Sequence, residues 1–167
     1  MLNNKIENAL IEQIEKEGYS SMLYLSMASW AESKGLQGIA TWLYEQSDEE
    51  RMHMLKLVAY VNERGGHAVI SGFEKPPVTF DSVQKMFEQV YEHEQYVTRS
   101  INDIVGICLD EKDFTTHNWI QWFVNEQIEE EASASGILDR LKLAGETNLY
   151  LFDRDIMSMR GEATSAD

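Results

Sequence analysis

One cysteine, two prolines and fourteen basic side chains are all that the 167 residues contain of these types. Each scarcity excludes something. Cys108 alone can make neither an internal disulfide nor a thiolate metal knuckle, and its apolar setting, IVGICL, reads as a buried structural thiol in a reducing compartment. Fourteen bases against 29 acids, a net charge of -15, argue against nucleic acid, whose phosphates reward Lys and Arg clusters, and permit cationic partners such as metal ions. No stretch reaches the ~18 uninterrupted apolar residues of a membrane span. The opening MLNNKIENALIEQIEKEGYSS has no basic segment followed by an apolar one, so the chain reads as cytoplasmic and soluble, with no membrane partner.

What the sequence has is helical pattern. A hydrophobic content of 43% suits one domain over residues 1–167 with a substantial core. Both prolines fall together, Pro76 and Pro77, inside GGHAVISGFEKPPVTFDS, the one long connection. Helical stretches are expected at 3–33 and 37–64 before it, with Gly35 and Gly38 between them, and at 81–110 and 114–144 after it. Asp81 and Gln84 are expected to form the cap of the third helix. Gly145 ends the fourth, NLYLFDRDIMSM reads as a short fifth, and RGEATSAD as a frayed polar tail. Short link, long link, short link is the connectivity of an all-α four-helix bundle with a long crossover between helices two and three.

The inward faces carry charge. Glu17 shares its stripe with Leu10, Ile14, Tyr24 and Ala28; Glu50 with Leu43, His53, Met54 and Leu57. Glu94 lies with Phe87, Val90, Tyr91, Val97 and Ile101, and Glu130 with Phe123, Glu126, Gln127, Ala134 and Ile137. Each acid sits near the middle of its helix, the one level that survives reversal of helix direction, so the four carboxylates are expected to converge. Buried unpaired carboxylates cost several kcal/mol each, and no basic residue shares the inner stripe near the midpoints. Metal ions are the remaining counter-charge. Oxygen ligands with one imidazole, His53 three residues after Glu50, suit iron or manganese better than zinc, and a bridging carboxylate such as Glu50 suits two ions.

Glu17, the ERMH of Glu50 and His53, Glu94, and NEQIEEE with Gln127 and Glu130 closely resemble prokaryotic non-haem ferritins over essentially the whole chain. The resemblance implies a first iron held by Glu17, Glu50 and His53, and a second by Glu50, Glu94 and Glu130 with Gln127 close by. A third iron would use Glu49, Glu126, Glu129 and Glu130, and the family's site tyrosine corresponds to Tyr24. It further implies ferroxidase activity on Fe(II) with dioxygen or hydrogen peroxide, and a homo-oligomeric cage of twenty-four subunits that stores ferric mineral. No haem is expected: Arg51 stands where the haem methionine of bacterioferritins would follow the bridging glutamate, and Met52 is about 100° away.

Other residues take plainer readings. His67 and His117 are surface or capping histidines, and His93 is expected to be exposed. The four tryptophans, Trp30, Trp42, Trp119 and Trp122, are expected in the core or at subunit contacts, and Glu131 on the surface. Two rivals to storage remain open: a non-storing di-iron oxidase or peroxide-scavenging bundle, and a cage whose site is slow.

Overall fold

Asn3 starts the chain's first helix by accepting a hydrogen bond from the Lys5 backbone N–H at 2.8 Å, satisfying one of the donors that a helix start leaves orphaned. The structure is a computed structural model describing residues 2–162. Four long helices follow: α1 (Asn4–Ser33), α2 (Gln37–Glu63), α3 (Val83–Asp110) and α4 (Phe114–Ala144). These bounds lie within two residues of those expected from the sequence. The cap of α3 differs. Ser82, extended at φ -158°, turns its hydroxyl onto the Lys85 N–H at 3.1 Å, so the helix starts one residue later than an Asp81 cap would give, and Gln84 donates to Glu88 instead. Gly145, at φ 66°, ends α4; a 3-10 turn (Glu146–Asn148), α5 (Leu149–Asp155) and a 3-10 segment (Ile156–Glu162) complete the described chain. The expected frayed tail therefore begins too early at Arg160, since Arg160–Glu162 are helical, and residues 163–167 lie outside the described part. Among the described residues there is no strand, and no helix is long and apolar enough to cross a membrane.

In the bundle, α1 packs on α2, α3 on α4, and α1 on α3. Between α2 and α3 the crossover runs along α1. The His67 N–H donates to Glu7, Ser71 to Glu15, and Ser26 of α1 to the Pro77 carbonyl, while Phe73 covers Gly18. A Cβ on Gly18 would lie 2.4 Å from the Phe73 ring, so any larger residue here would displace that ring.

The apolar core is divided. One cluster holds Tyr24, Met27, Leu43, Phe87 and Ile137 with Phe152 and Ile156 from beyond α4; the other holds Leu10, Ile14, Leu57, Val97, Ile101, Cys108 and Phe123. Glu17, Glu50, His53, Glu94, Gln127 and Glu130, all buried, belong to neither cluster. The polar level predicted at the helix midpoints is thus a layer within the core.

One close approach holds α5 in place. Leu36 at the N-cap of α2 has no side chain to cap with, and Asp153 of α5 substitutes, accepting from the Ile39 N–H at 2.8 Å. A Cβ on Gly38 would come 1.8 Å from the Asp153 carbonyl oxygen, so only glycine admits this contact. Phe152 and Ile156 then bury their side chains against the end of the bundle, worth about 1.5–3 kcal/mol each.

Candidate metal centre

The middle turns of the four helices deliver their acids to one place because helical periodicity puts each on an otherwise apolar, core-facing stripe. Two groups of ligand atoms form, each lying mutually within 4.8 Å: Glu17, Glu50 and His53, and Glu50, Glu94 and Glu130. Glu50 belongs to both. A third group, Glu49, His53, Glu126 and Glu130, adjoins them on the side of a pocket of about 620 Å³ between α2 and α4. Glu129 is exposed and lines that pocket without joining the convergent atoms, and His53 occupies the group instead.

His53 is shared by position. Its Nδ1 lies 3.3 Å from Glu50 Oε2 and 4.0 Å from Glu17 Oε2, while Nε2 faces Glu126 Oε1 at 4.0 Å. Trp122 and Phe123 wall it edge-on at 5.4 and 6.0 Å. Trp122 is 39% exposed and carries the Lys56 ammonium 4.1 Å over its ring.

Electrostatics inside the layer are unfavourable as it stands. Burial, then repulsion from Glu94 and Glu17, pushes Glu50 well above the usual carboxylate range, and burial with Glu94 and Glu50 does the same to Glu130. Burial raises Glu94 to about 7 against the opposing hydrogen bonds from Tyr24 and Gln127. Tyr24, completely buried, donates its Oη–H to Glu94 Oε1, and burial beside Glu94 and Glu50 keeps the phenol protonated. Gln127 Nε2 lies 3.2 Å from both Glu94 Oε2 and the Glu94 carbonyl. Glu17 Oε2 is the buried side-chain atom among the described residues with no hydrogen-bond partner, and it points into the first group. An orphaned oxygen within an oxygen-rich set with one imidazole is what a divalent cation would satisfy.

Sequence reasoning missed the residues that hold these ligands. Gln13 donates to Glu17 Oε1 at 2.8 Å and Gln46 donates to Glu130 Oε2 at 2.7 Å. Both sit four residues before a glutamate of the layer, on its own apolar stripe, a signal the sequence offered. Arg160 could not be found that way, since it arrives from beyond α5 to pair with Glu45 and Glu49. His93 corrects an expectation: it is half-buried rather than exposed, sharing a 2.7 Å hydrogen bond with Ser20 Oγ amid the rings of Tyr19, Tyr24 and Tyr96, and burial lowers it to about 4. Glu131 is likewise half-buried, accepting from Thr98 Oγ1 at 2.5 Å. His67 is exposed and His117 half-buried in the first turn of α4; Cys108 is fully buried, which raises its thiol to about 11.

Comparison with known proteins covers most of the chain. A family model described as a ferritin-like domain matches residues 7–144. The bacterial non-heme ferritin of Campylobacter jejuni is 43% identical over 161 residues, covering 95% of this chain and 96% of that protein. That of Bacteroides fragilis is 38% identical over 93% of this chain and 98% of its own length. Among solved structures, the open pore ferritin of Archaeoglobus fulgidus superposes with a TM-score of 0.91 at 45% identity, covering 93% of this chain and 98% of that one. A four-helix bundle with a divided core, a buried carboxylate layer and relatives matched almost end to end place this chain in the ferritin family.

Proposed function

We propose that this chain is an iron-storage ferritin with ferroxidase activity, whose substrate Fe(II) is oxidised at the buried layer and kept as ferric mineral in a cage. The observation that carries the reading is Glu50, whose carboxylate belongs to both buried ligand groups and so suits two adjacent ions. One Fe(II) is held by Glu17, Glu50 and His53 and the second by Glu50, Glu94 and Glu130. Two Fe(II) release two electrons, which with two protons take dioxygen to hydrogen peroxide, or hydrogen peroxide to two waters. Carboxylates suit this chemistry because their charge is better compensated by Fe(III) than by Fe(II).

The chain's own residues do the positioning. His53 presents Nδ1 toward Glu17 and Glu50, while Nε2 faces Glu126. Tyr24 and Gln127 fix Glu94 from two sides, through its two carboxylate oxygens. Glu49, Glu126 and Glu130, with Glu129 at the pocket wall, provide a third, more open iron site through which product moves inward. Arg51 in place of a methionine after Glu50 supports a haem-free ferritin. We place it in the cytoplasm as a single ferritin-like unit over residues 1–167, assembling into twenty-four copies, whose net charge of -15 per chain attracts Fe(II).

The test is a large excess of Fe(II) in air followed by size-exclusion chromatography. Iron co-eluting with a particle of twenty-four 19.2 kDa chains is the expected result. Iron that precipitates, or stays at two or three per chain on a small oligomer, would overturn storage and favour a non-storing oxidase instead.

A further inference from the structure

Arg160 lies near the end of the described chain, yet the fold turns it back onto the inner carboxylates. Nη2 donates to Glu49 Oε2 at 2.6 Å and Nε lies 3.0 Å from Glu45 Oε2. Nη1 donates to Gln46 Oε1 and to the Trp42 carbonyl, both at 3.3 Å, and the guanidinium lies 5.7 Å from the Trp42 ring. The side chain is 21% exposed, so these contacts are only partly open to water. Gln46, held by Arg160, donates in turn to Glu130 Oε2 at 2.7 Å. One cation therefore reaches Glu49 directly and Glu130 through a single glutamine, and those two are half of the group formed with His53 and Glu126.

We infer that Arg160 is the resident counter-cation of this inner group, competing with a divalent ion for Glu49 and so setting how weakly the group holds a third ion. The inference rests on the ferroxidase reading for its meaning. A guanidinium is always charged and binds carboxylate through directed N–H donors, so Glu49 Oε2 cannot keep its short charge-assisted bond and also become a full ligand. An ion taken through Oε2 has to break that pair, and one taken through Oε1 meets a carboxylate whose charge Arg160 already offsets. The consequence suits the geometry: among the described residues no Lys or Arg pairs directly with a carboxylate of the two buried groups, which hold ions tightly, whereas the inner group, beside an open pocket, has one of its carboxylates, Glu49, already paired. A weakly held ion is one that can leave for the cavity.

The experiment uses the assembled metal-free protein, titrated anaerobically with Zn(II), a redox-silent ion, by isothermal calorimetry. Wild type, R160Q and K56Q are compared after each has been shown to elute as the wild-type oligomer. K56Q removes the same charge from the Lys56 ammonium, which sits over the pocket-wall ring of Trp122 and acts on Glu126 only through space. R160Q is expected to bind the weakest of three Zn(II) ions about tenfold more tightly than wild type, and K56Q less than about twofold, with the two tight ions unchanged. An unchanged or weakened third ion in R160Q would overturn the inference. So would a gain in K56Q as large as in R160Q, which would reduce the effect to the general field. Absence of two tight ions in every variant would instead sink the di-iron reading, while the ratio of R160Q to wild type at the weak site would still decide the role of Arg160.

Discussion

Ser100 Oγ on α3 donates to Gln13 Oε1 on α1 at 2.6 Å, although 87 residues separate the two in sequence. The bond is one link of a chain with a single direction. Lys16 Nζ donates to Ser100 Oγ at 2.5 Å, Ser100 to Gln13, and Gln13 Nε2 to Glu17 Oε1 at 2.8 Å. Donors aligned head to tail polarise one another, so the ammonium of Lys16 acts on a carboxylate it never touches. Glu17 is thereby held by one oxygen, leaving the other, Oε2, free for a metal ion.

Replacing Gln13 by Leu keeps the volume and removes the donor. The buried Glu17 oxygen then loses its partner, and the metal-free protein should lose about 1–3 kcal/mol in denaturant unfolding. Binding at the first iron position should weaken roughly 10- to 100-fold, as when a ligand loses its outer partner, with the second position little changed. Equal weakening of both positions would show that Gln13 supports the bundle and not Glu17 in particular.

The sequence carried the bundle and most of the candidate ligands for one physical reason. An acid on an otherwise apolar stripe contradicts its surroundings, and helical periodicity makes the contradiction visible at Glu17, Glu50, Glu94 and Glu130. Gln13 and Gln46 break their stripes in the same way, but an amide is a milder exception and passes as tolerated. Arg160 and Asp153 were not legible at all, because their partners, Glu49 and the Ile39 amide, become neighbours only when α5 folds back on α2. The cap at Ser82 instead of Asp81 turned on backbone dihedrals that two adjacent capping-type residues leave open. His93 was misjudged because the ring of a residue off the main stripe was still covered by Tyr19 and Tyr96.

Metal-free stability should depend on pH through the layer. Glu94 has an ordinary value of 4.5 and rises to about 7 when folded, so between those values the folded state holds more protons than the unfolded. Stability from this group is present at low pH, falls as pH rises through that window and levels off above about 7. Glu94→Gln removes the titration. The metal-free variant should be more stable than wild type by roughly 3 kcal/mol at pH 8, with the advantage nearly gone at pH 4.5. Guanidinium unfolding at the two pH values checks this, and adding Zn(II) should reverse the order at pH 8, since only wild type keeps all ligands of the second group. A difference between the proteins that does not change with pH would show that folding leaves the Glu94 carboxyl at its ordinary value.

Tyr24→Phe tests the other hold on Glu94. The ring remains in the core and only the donated hydrogen bond is lost, while Gln127 still reaches Glu94 Oε2 at 3.2 Å. Binding of two Zn(II) ions should therefore stay within about threefold of wild type, whereas the fast phase of Fe(II) oxidation in stopped flow should slow roughly tenfold as the ligand loses its fixed geometry. An unchanged fast phase would remove Tyr24 from the chemistry.

Gly38→Ala asks whether α5 is held by the approach seen at Asp153. In an isolated helix this change would stabilise by up to about 1 kcal/mol, since alanine is the better helix former. Here the added Cβ meets the Asp153 carbonyl oxygen at 1.8 Å, a backbone atom that cannot swing aside, so α5 must move away as a body. Moving it breaks the bond from the Ile39 N–H and exposes Phe152 and Ile156, and the two buried side chains outweigh the helix gain. The variant should lose about 2–4 kcal/mol of stability and expose apolar surface that binds a hydrophobic dye. Because Arg160 follows α5 on the same segment, its pair with Glu49 should go too, and the weak Zn(II) ion should tighten in G38A as it does in R160Q. Asp153→Asn separates the two effects: an amide oxygen still accepts from Ile39, so α5 stays docked and the weak ion should bind as in wild type. A destabilised G38A whose weak ion is unaltered would mean that the Arg160 contact is independent of the docking of α5.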